Sequence, residues 1–125
     1  MKYAIHIVRI LLGLVFVFFG SNGFLHFMGL PPAMEGPAGE FIGAMFSSGY
    51  IYVIAGLELV GGLLLLIGSR FVPLGLTLLG PVIVNIVLFH IFLVPDGLLM
   101  GCVISALALF LLWVYRFKFP AIFQP

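Results

Sequence analysis

Four stretches of this chain are long and apolar enough to cross a lipid bilayer. A membrane-spanning helix needs about 20 mostly apolar residues to cross a hydrocarbon layer about 30 Å thick. Hydrophobic residues make up 64% of the 125 residues and charged ones only 7%, more apolar surface than a soluble domain of this size can bury. The sequence therefore predicts one all-α domain over residues 1–125, an integral membrane four-helix bundle. Its predicted helices lie at residues 4–27, 49–67, 71–94 and 98–117.

Two of the three connections between these stretches are short. Ser69-Arg70 follows the second stretch and Pro95-Asp96-Gly97 follows the third, and both contain residues suited to tight turns. Short turns make consecutive helices antiparallel neighbours. The first connection, residues 28–48, is long.

Within this first connection, apolar residues recur at the spacing of a short amphipathic helix. The helix is predicted to begin near Gly39, and its apolar positions are Phe41, Ile42, Met45 and Phe46. A helix of this kind lies on the membrane surface, here in the first outer loop. A simple loop with a few exposed apolar side chains is the alternative that the pattern leaves open.

The basic residues predict the orientation of the bundle. With an even number of crossings all five lie at one end, which the positive-inside rule assigns to the cytoplasm. The connections at the other end carry Glu35, Glu40 and Asp96 and no lysine or arginine. Both termini are therefore predicted to be cytoplasmic. The five basic residues are Lys2, Arg9, Arg70, Arg116 and Lys118.

Composition argues against several kinds of function. The net charge of +1 gives no bias that would point to nucleic acid. Cys102 is the only cysteine, and no Cys/His cluster has zinc-ligand spacing. No nucleophile–base pair or phosphate-binding loop is recognisable. The sequence predicts no metal site and no catalytic residue, favours a protein without catalytic activity of its own, and leaves the question of an enzyme open.

Small residues on the fourth helix predict a close helix contact. Gly97, Gly101 and Ser105 recur every four positions. Stripes of this kind let two backbones approach closely. In lipid the hydrophobic effect does not drive helices together, so their association depends on such close packing.

Five polar residues in the predicted spans are the candidate ligand-binding residues. Each needs a reason to be there, because a charge at the bilayer centre costs about 2.5–3.5 kcal/mol on translocon scales. With a rise of about 1.5 Å per residue, Glu58 falls near mid-membrane and the others toward the outer side. We expect a pocket for the polar head of a quinone or a lipid, whose carbonyls would accept hydrogen bonds from imidazole and amide groups. The five are Asn22, His26, Glu58, Asn85 and His90.

Structural roles for these residues stay open. Asn85 and His90 are five apart, so they share a site only if Pro81 or local unwinding rotates the helix. The asparagines can join helices and the histidines can bind headgroups. The histidine spacing also permits a b-type haem, but it is unspecific and the sequence does not favour one.

A carboxyl group at mid-membrane must be protonated or paired. Arg9 is the candidate partner of Glu58 in an intramembrane ion pair, and its alternative is to extend its charged group to the interface.

Two patterns resemble those of the DoxX-like membrane proteins. The first is residues 9–20 (RILLGLVFVFFG), followed by Asn22-Gly23. The second is residues 56–68 (GLELVGGLLLLIG), followed by the turn at Arg70. The resemblance covers nearly the whole chain, and its most specific element is an arginine in the first helix combined with Glu-x-x-Gly-Gly in the second.

This resemblance implies a small four-helix protein of the bacterial inner membrane. The family is named from a subunit associated with thiosulfate:quinone oxidation, and Arg9 and Glu58 match its polar positions. The function expected is an accessory or structural subunit of a membrane complex, redox and quinone-linked, with other membrane subunits or further copies of the chain as partners. The alternatives are a quinone-reactive oxidoreductase subunit and a proton-coupled small-molecule carrier that uses Glu58.

Overall fold

The computed structural model of the chain describes residues 1–123, and within them it contains helices and no β-strand. Four helices are long and apolar enough to cross a membrane, as predicted, which indicates a multi-pass membrane protein. Short 3₁₀ turns at Ser69–Phe71 and Pro95–Gly97 join the last three. The four are α1 (Lys2–Leu25), α3 (Tyr50–Ile67), α4 (Val72–Phe92) and α5 (Leu98–Val114), and α2 (Gly36–Ser48) lies between α1 and α3.

The outside of the bundle is as apolar as its core. Leu14, Val84 and Leu109 lie away from the ends of their helices and are each more than half exposed. Such a surface is stable against lipid tails and unstable in water. The fully buried side chains form one cluster that draws on all four long helices: Leu12, Phe16, Leu65, Val72, Leu79 and Leu111.

α1 and α3 touch backbone to backbone. A Cβ atom added to Gly20 would lie 2.6 Å from the backbone nitrogen of Leu59. One added to Gly62 would lie 2.8 Å from the carbonyl oxygen of Gly13. Only glycine allows two helices to approach this closely, as small residues do elsewhere in membrane bundles.

α3 and α4 are in tight contact near the turn that joins them. A Cβ atom on Gly61 would lie 2.5 Å from Cγ of Leu79, and one on Gly75 would lie 3.1 Å from the carbonyl oxygen of Gly61. Beyond Gly61 and Leu79 the same two helices line a cavity instead. The tight contact thus places that cavity at the end of the bundle where α3 begins and α4 ends, here called the α2 end.

The small-residue stripe of α5 lies against α4. A Cβ atom on Gly97 would overlap the imidazole ring of His90, and one on Gly101 would lie 3.8 Å from Cγ2 of Val87. The Ser105 hydroxyl donates to the carbonyl oxygen of Gly101 at 2.7 Å, within its own helix. The closest approach is therefore to a side-chain ring and not to a backbone.

The helix ends differ from the predicted ones by a few residues. α1 ends at Leu25 because His26 adopts a left-handed conformation (φ 53°) and the Met28 N–H donates to Oδ1 of Asn22 at 2.9 Å. α5 ends at Val114, and a 3₁₀ segment, Arg116–Phe123, follows.

The long first connection contains α2, which begins three residues before Gly39. Pro37 lies in its first turn, where a missing N–H costs no helical hydrogen bond. One residue, Gly49, separates α2 from α3, and its φ of 82° is a conformation that favours glycine.

Candidate functional site

A cavity of about 460 Å³ lies between α2, α3 and α4 at the α2 end of the bundle. This volume is within the usual range of about 300–1,000 Å³ for small-molecule sites. The α3 wall is Tyr50, Ile51, Ile54 and Glu58, the α4 wall is Val82, Asn85, Ile86, Phe89 and His90, and the α2 wall is Phe41, Ile42, Ala44, Met45 and Ser48.

Most of this wall is apolar, and part of it is aromatic. The rings of Phe41 on α2 and Phe89 on α4 lie 5.6 Å apart between centroids, so α2 packs across the end of α4. At its other side α2 reaches the end of α1, where the rings of Phe46 and His26 are 6.2 Å apart. α2 therefore covers the cavity from above.

Glu58 is the one acidic residue of the cavity wall, and it lies at the bottom. It is eight residues beyond the start of α3, about 12 Å along the helix. Its side chain is half-buried, and no hydrogen bond joins its carboxyl group to another side chain or backbone group within residues 1–123. The carboxyl group is thus available to a ligand.

Asn85 and His90 line the same cavity from opposite margins of α4. Five residues at about 100° each place them about 140° apart around the helix. Val82, Ile86 and Phe89 fill the face between them. α4 continues through Pro81 as one helix, and the two polar residues meet one cavity because a wide face of α4 lines it.

Three side chains of the wall donate hydrogen bonds to backbone carbonyl groups. Asn85 Nδ2 donates to the Pro81 oxygen at 2.9 Å, and the Ser48 hydroxyl donates to the Met45 oxygen at 3.4 Å. His90 Nδ1 lies 2.9 Å from the Val94 oxygen, which can only accept, so Nδ1 carries the proton. The protons of His90 Nδ1 and of the Ser48 hydroxyl are therefore not free for a ligand, whereas Asn85 keeps its second Nδ2 hydrogen.

Asn22 and His26 lie outside this cavity. Asn22 Oδ1 accepts the Met28 N–H and closes the end of α1, and His26 is the left-handed residue that follows the helix. Of the five candidate binding residues, the structure brings Glu58, Asn85 and His90 together and leaves Asn22 and His26 apart.

Arg9 and Glu58 are not brought together either. The Arg9 guanidinium donates through Nη1 to the carbonyl oxygens of Leu65 and Leu66, about 10 Å along α3 from Glu58. These carbonyl groups belong to the last turn of α3, where carbonyl oxygens have no N–H partner within the helix. The same turn carries the negative end of the helix dipole. The free carbonyl groups are the nearer partners. Arg9 Nε is buried without a hydrogen-bond partner in the described part of the chain.

The residues of α2 and the start of α3 were missed as site residues by the sequence analysis. Phe41 and Met45 were recognised as the apolar face of a short helix, but nothing in that pattern shows whether the face meets lipid or protein. Within residues 1–123, no three His, Cys, Asp or Glu side chains form a group that could hold a metal ion.

Comparison of the chain with protein-family models, curated proteins and solved structures finds no match. The resemblance to the DoxX-like proteins therefore stays a prediction, and the function has to be argued from the cavity.

Proposed function

We propose that this chain is an accessory subunit of a membrane complex and that it holds the polar head of an amphiphile, such as a quinone or a lipid, in the cavity under α2. The observation that carries the proposal is the composition of the cavity wall. Apolar side chains from three helices surround Glu58, Asn85 and His90, the combination typical of sites that bury a ligand's body and orient its polar group.

The accessory role follows from what the chain offers outside the spans. The described part there consists of α2 with the segment before it, short turns and the 3₁₀ segment Arg116–Phe123. A reaction with a water-soluble substrate needs surface that such turns do not supply. A partner subunit with a soluble domain would supply it, and the DoxX-like resemblance points to a redox complex of the bacterial inner membrane.

Mild-detergent purification from the native host tests both parts of the proposal. We expect the chain to migrate in a complex larger than itself and to retain an amphiphile that mass spectrometry identifies. Ile54→Trp, which fills the cavity, should remove the amphiphile. Val53→Trp is the matched control, because Val53 directly precedes Ile54 on α3, lies outside the cavity wall and has a side chain that is 62% exposed.

Two results would contradict this proposal. Retention of the same amphiphile by Ile54→Trp would place it elsewhere on the protein. A chain that migrates alone would remove the accessory role and leave ligand binding in place.

The orientation is part of the same proposal, with both termini in the cytoplasm and the α2 end outside. In a Cys102→Ala background, a cysteine at Glu35 should react with a membrane-impermeant maleimide in intact cells, and one at Lys118 only after the cells are opened. The basic residues at one end of the bundle give the reason. The reverse pattern of labelling would contradict the orientation.

One observation favours a second function. The Glu58 carboxyl group lines the cavity without a hydrogen-bond partner among the described residues, so it is free to exchange a proton with a ligand there. A quinone-reactive oxidoreductase subunit or a proton-coupled carrier would keep its ligand bound in Glu58→Gln and lose turnover, whereas an accessory subunit has no turnover of its own to lose.

A further inference from the structure

The hydrogen-bonding groups that face the cavity are mostly acceptors. The Nδ1 proton of His90 is used by Val94, which leaves Nε2 of the neutral ring as an acceptor. One Nδ2 hydrogen of Asn85 is used by Pro81, which leaves Oδ1 as an acceptor and the second Nδ2 hydrogen as a donor. The Ser48 hydroxyl is used by Met45. A quinone, whose carbonyls only accept hydrogen bonds, would have only the second Nδ2 hydrogen of Asn85 and the Tyr50 hydroxyl as side-chain donors in this wall.

The charge of the cavity wall also favours a ligand that donates hydrogen bonds. Glu58 lines the cavity, and among the described residues no lysine or arginine does. Arg9, the predicted ion-pair partner of Glu58, is held by the carbonyl groups at the other end of α3. A carboxyl group in an apolar surrounding is either protonated or paired with a counter-charge, and no lysine or arginine among residues 1–123 pairs with Glu58. A ligand can supply the counter-charge.

The aromatic part of the wall is suited to the same kind of ligand. Phe41, Phe89 and Tyr50 come from three different helices and present ring surface to one cavity. A cation within about 6 Å of such rings is attracted by the negative charge on their faces, most strongly where water is excluded.

The surroundings of the cavity also favour a cation. Glu35 precedes α2, Glu40 lies within it and Asp96 follows α4, so all three belong to the α2 end. The five lysines and arginines belong to the opposite end. Acidic groups around the mouth of a site raise the local concentration of cations.

We propose that the ligand of this cavity is an organic cation, a protonated amine carried on an apolar body. Its N–H groups would donate to the Glu58 carboxyl group while the body lies among the aromatic and aliphatic side chains. This inference rests on the proposed function in one respect, that the cavity under α2 binds a ligand.

Three probes distinguish the inference that the ligand is an organic cation from the proposed function, in which the cavity binds a ligand. 4-Phenylbutylammonium and 4-phenylbutan-1-ol have the same apolar body and differ in charge, and decylubiquinone offers only acceptors. Each is titrated into the purified full chain in dodecyl maltoside by calorimetry, with empty micelles as the blank. The ammonium should bind about tenfold or more tightly than the alcohol, because hydrogen bonds between charged groups are stronger than those between neutral groups.

Variants then locate the charge effect. Glu58→Gln should raise the Kd of the ammonium to that of the alcohol and leave the Kd of the alcohol unchanged. Asp96→Asn is the matched control, since it removes an exposed carboxyl group outside the cavity wall; it should raise the Kd of the ammonium far less than Glu58→Gln does and leave the Kd of the alcohol unchanged. The comparison of the probes on the unmodified chain needs no variant and holds even if Glu58→Gln does not fold.

If the alcohol or decylubiquinone binds as tightly as the ammonium, the organic-cation inference is overturned and the proposed function stands. If none of the three binds, both are overturned. If the ammonium binds best but Glu58→Gln has no effect, the cation lies in another site and the inference fails.

Discussion

Gly20→Leu should strongly destabilise the bundle in detergent, by roughly 3 kcal/mol, and lower its melting temperature by on the order of 10 °C. The reason is that the new Cβ would meet backbone and not a movable side chain. The Leu59 nitrogen would lie 2.6 Å away and the Ala55 oxygen 2.9 Å away. α1 and α3 would have to separate, and the buried contacts of both helices would loosen with them. Thermal unfolding followed by circular dichroism measures the effect.

Gly43→Leu is the matched control for this variant. Gly43 is also inside a helix, α2, so the change in helix propensity is similar, but no atom apart from those of the neighbouring helix backbone lies within 4 Å of its Cβ position. Its melting temperature should stay within a few degrees of that of the unmodified chain. Equal melting temperatures for the two leucine variants would mean that α1 and α3 do not touch at Gly20.

The second large effect is expected from Arg9→Met. Methionine is similar in length and apolar, and it removes the donor to the Leu65 and Leu66 oxygens. Loss of a charged hydrogen bond at a helix end should cost about 2 kcal/mol. Arg9→Lys keeps the charge with a shorter reach, so its stability should lie between those of the unmodified chain and Arg9→Met. Chemical unfolding in mixed micelles compares the three proteins.

Arg70→Met provides the comparison at an exposed position. The Arg70 side chain lies over the Phe71 ring at 5.6 Å and is exposed, so its removal should change stability by no more than about 0.5 kcal/mol. If Arg9→Met is as stable as Arg70→Met, the bonds of Arg9 to α3 contribute nothing measurable.

The four spans could be predicted from the sequence because bilayer thickness sets the length of an apolar helix, and their ends were predicted to within a few residues. Where the prediction was off, a local interaction explains the difference. At the end of α1 the Asn22 side chain accepts the N–H of Met28, and the helix stops before Phe27. Such a bond depends on a side-chain rotamer, which hydropathy does not report.

The composition of the site was harder to predict because it depends on which face of each helix meets a neighbour. On α1 the contact with α3 is made by Gly13 and Gly20, which share a face. Asn22 is two residues on, about 200° around the helix from Gly20, and so faces away from that contact. The depth of Asn22 in the membrane was a reason to group it with Glu58, and the glycine contact overrides depth.

The donors of the cavity wall show a second limit. From composition, imidazole and amide groups count equally as donors and acceptors. Nearby backbone carbonyl groups decide which donors and acceptors remain free for a ligand. The Val94 oxygen accepts a hydrogen bond from His90, and the Pro81 oxygen accepts one from Asn85. The sequence alone does not show whether an imidazole or amide group bonds to a backbone carbonyl group four residues away or faces a ligand.

The backbone contact between α1 and α3 also bears on how the protein is made. These are consecutive spans, so their interface can form as soon as the second span leaves the translocation channel, before α4 has entered the bilayer. The α4 wall that later faces Glu58 is not yet in place at that stage. Glu58 then enters the bilayer beside lipid, and the leucines of α3 must offset a cost of about 2.5–3.5 kcal/mol. Biogenesis therefore limits how many further charges α3 can carry, independently of the stability of the finished bundle.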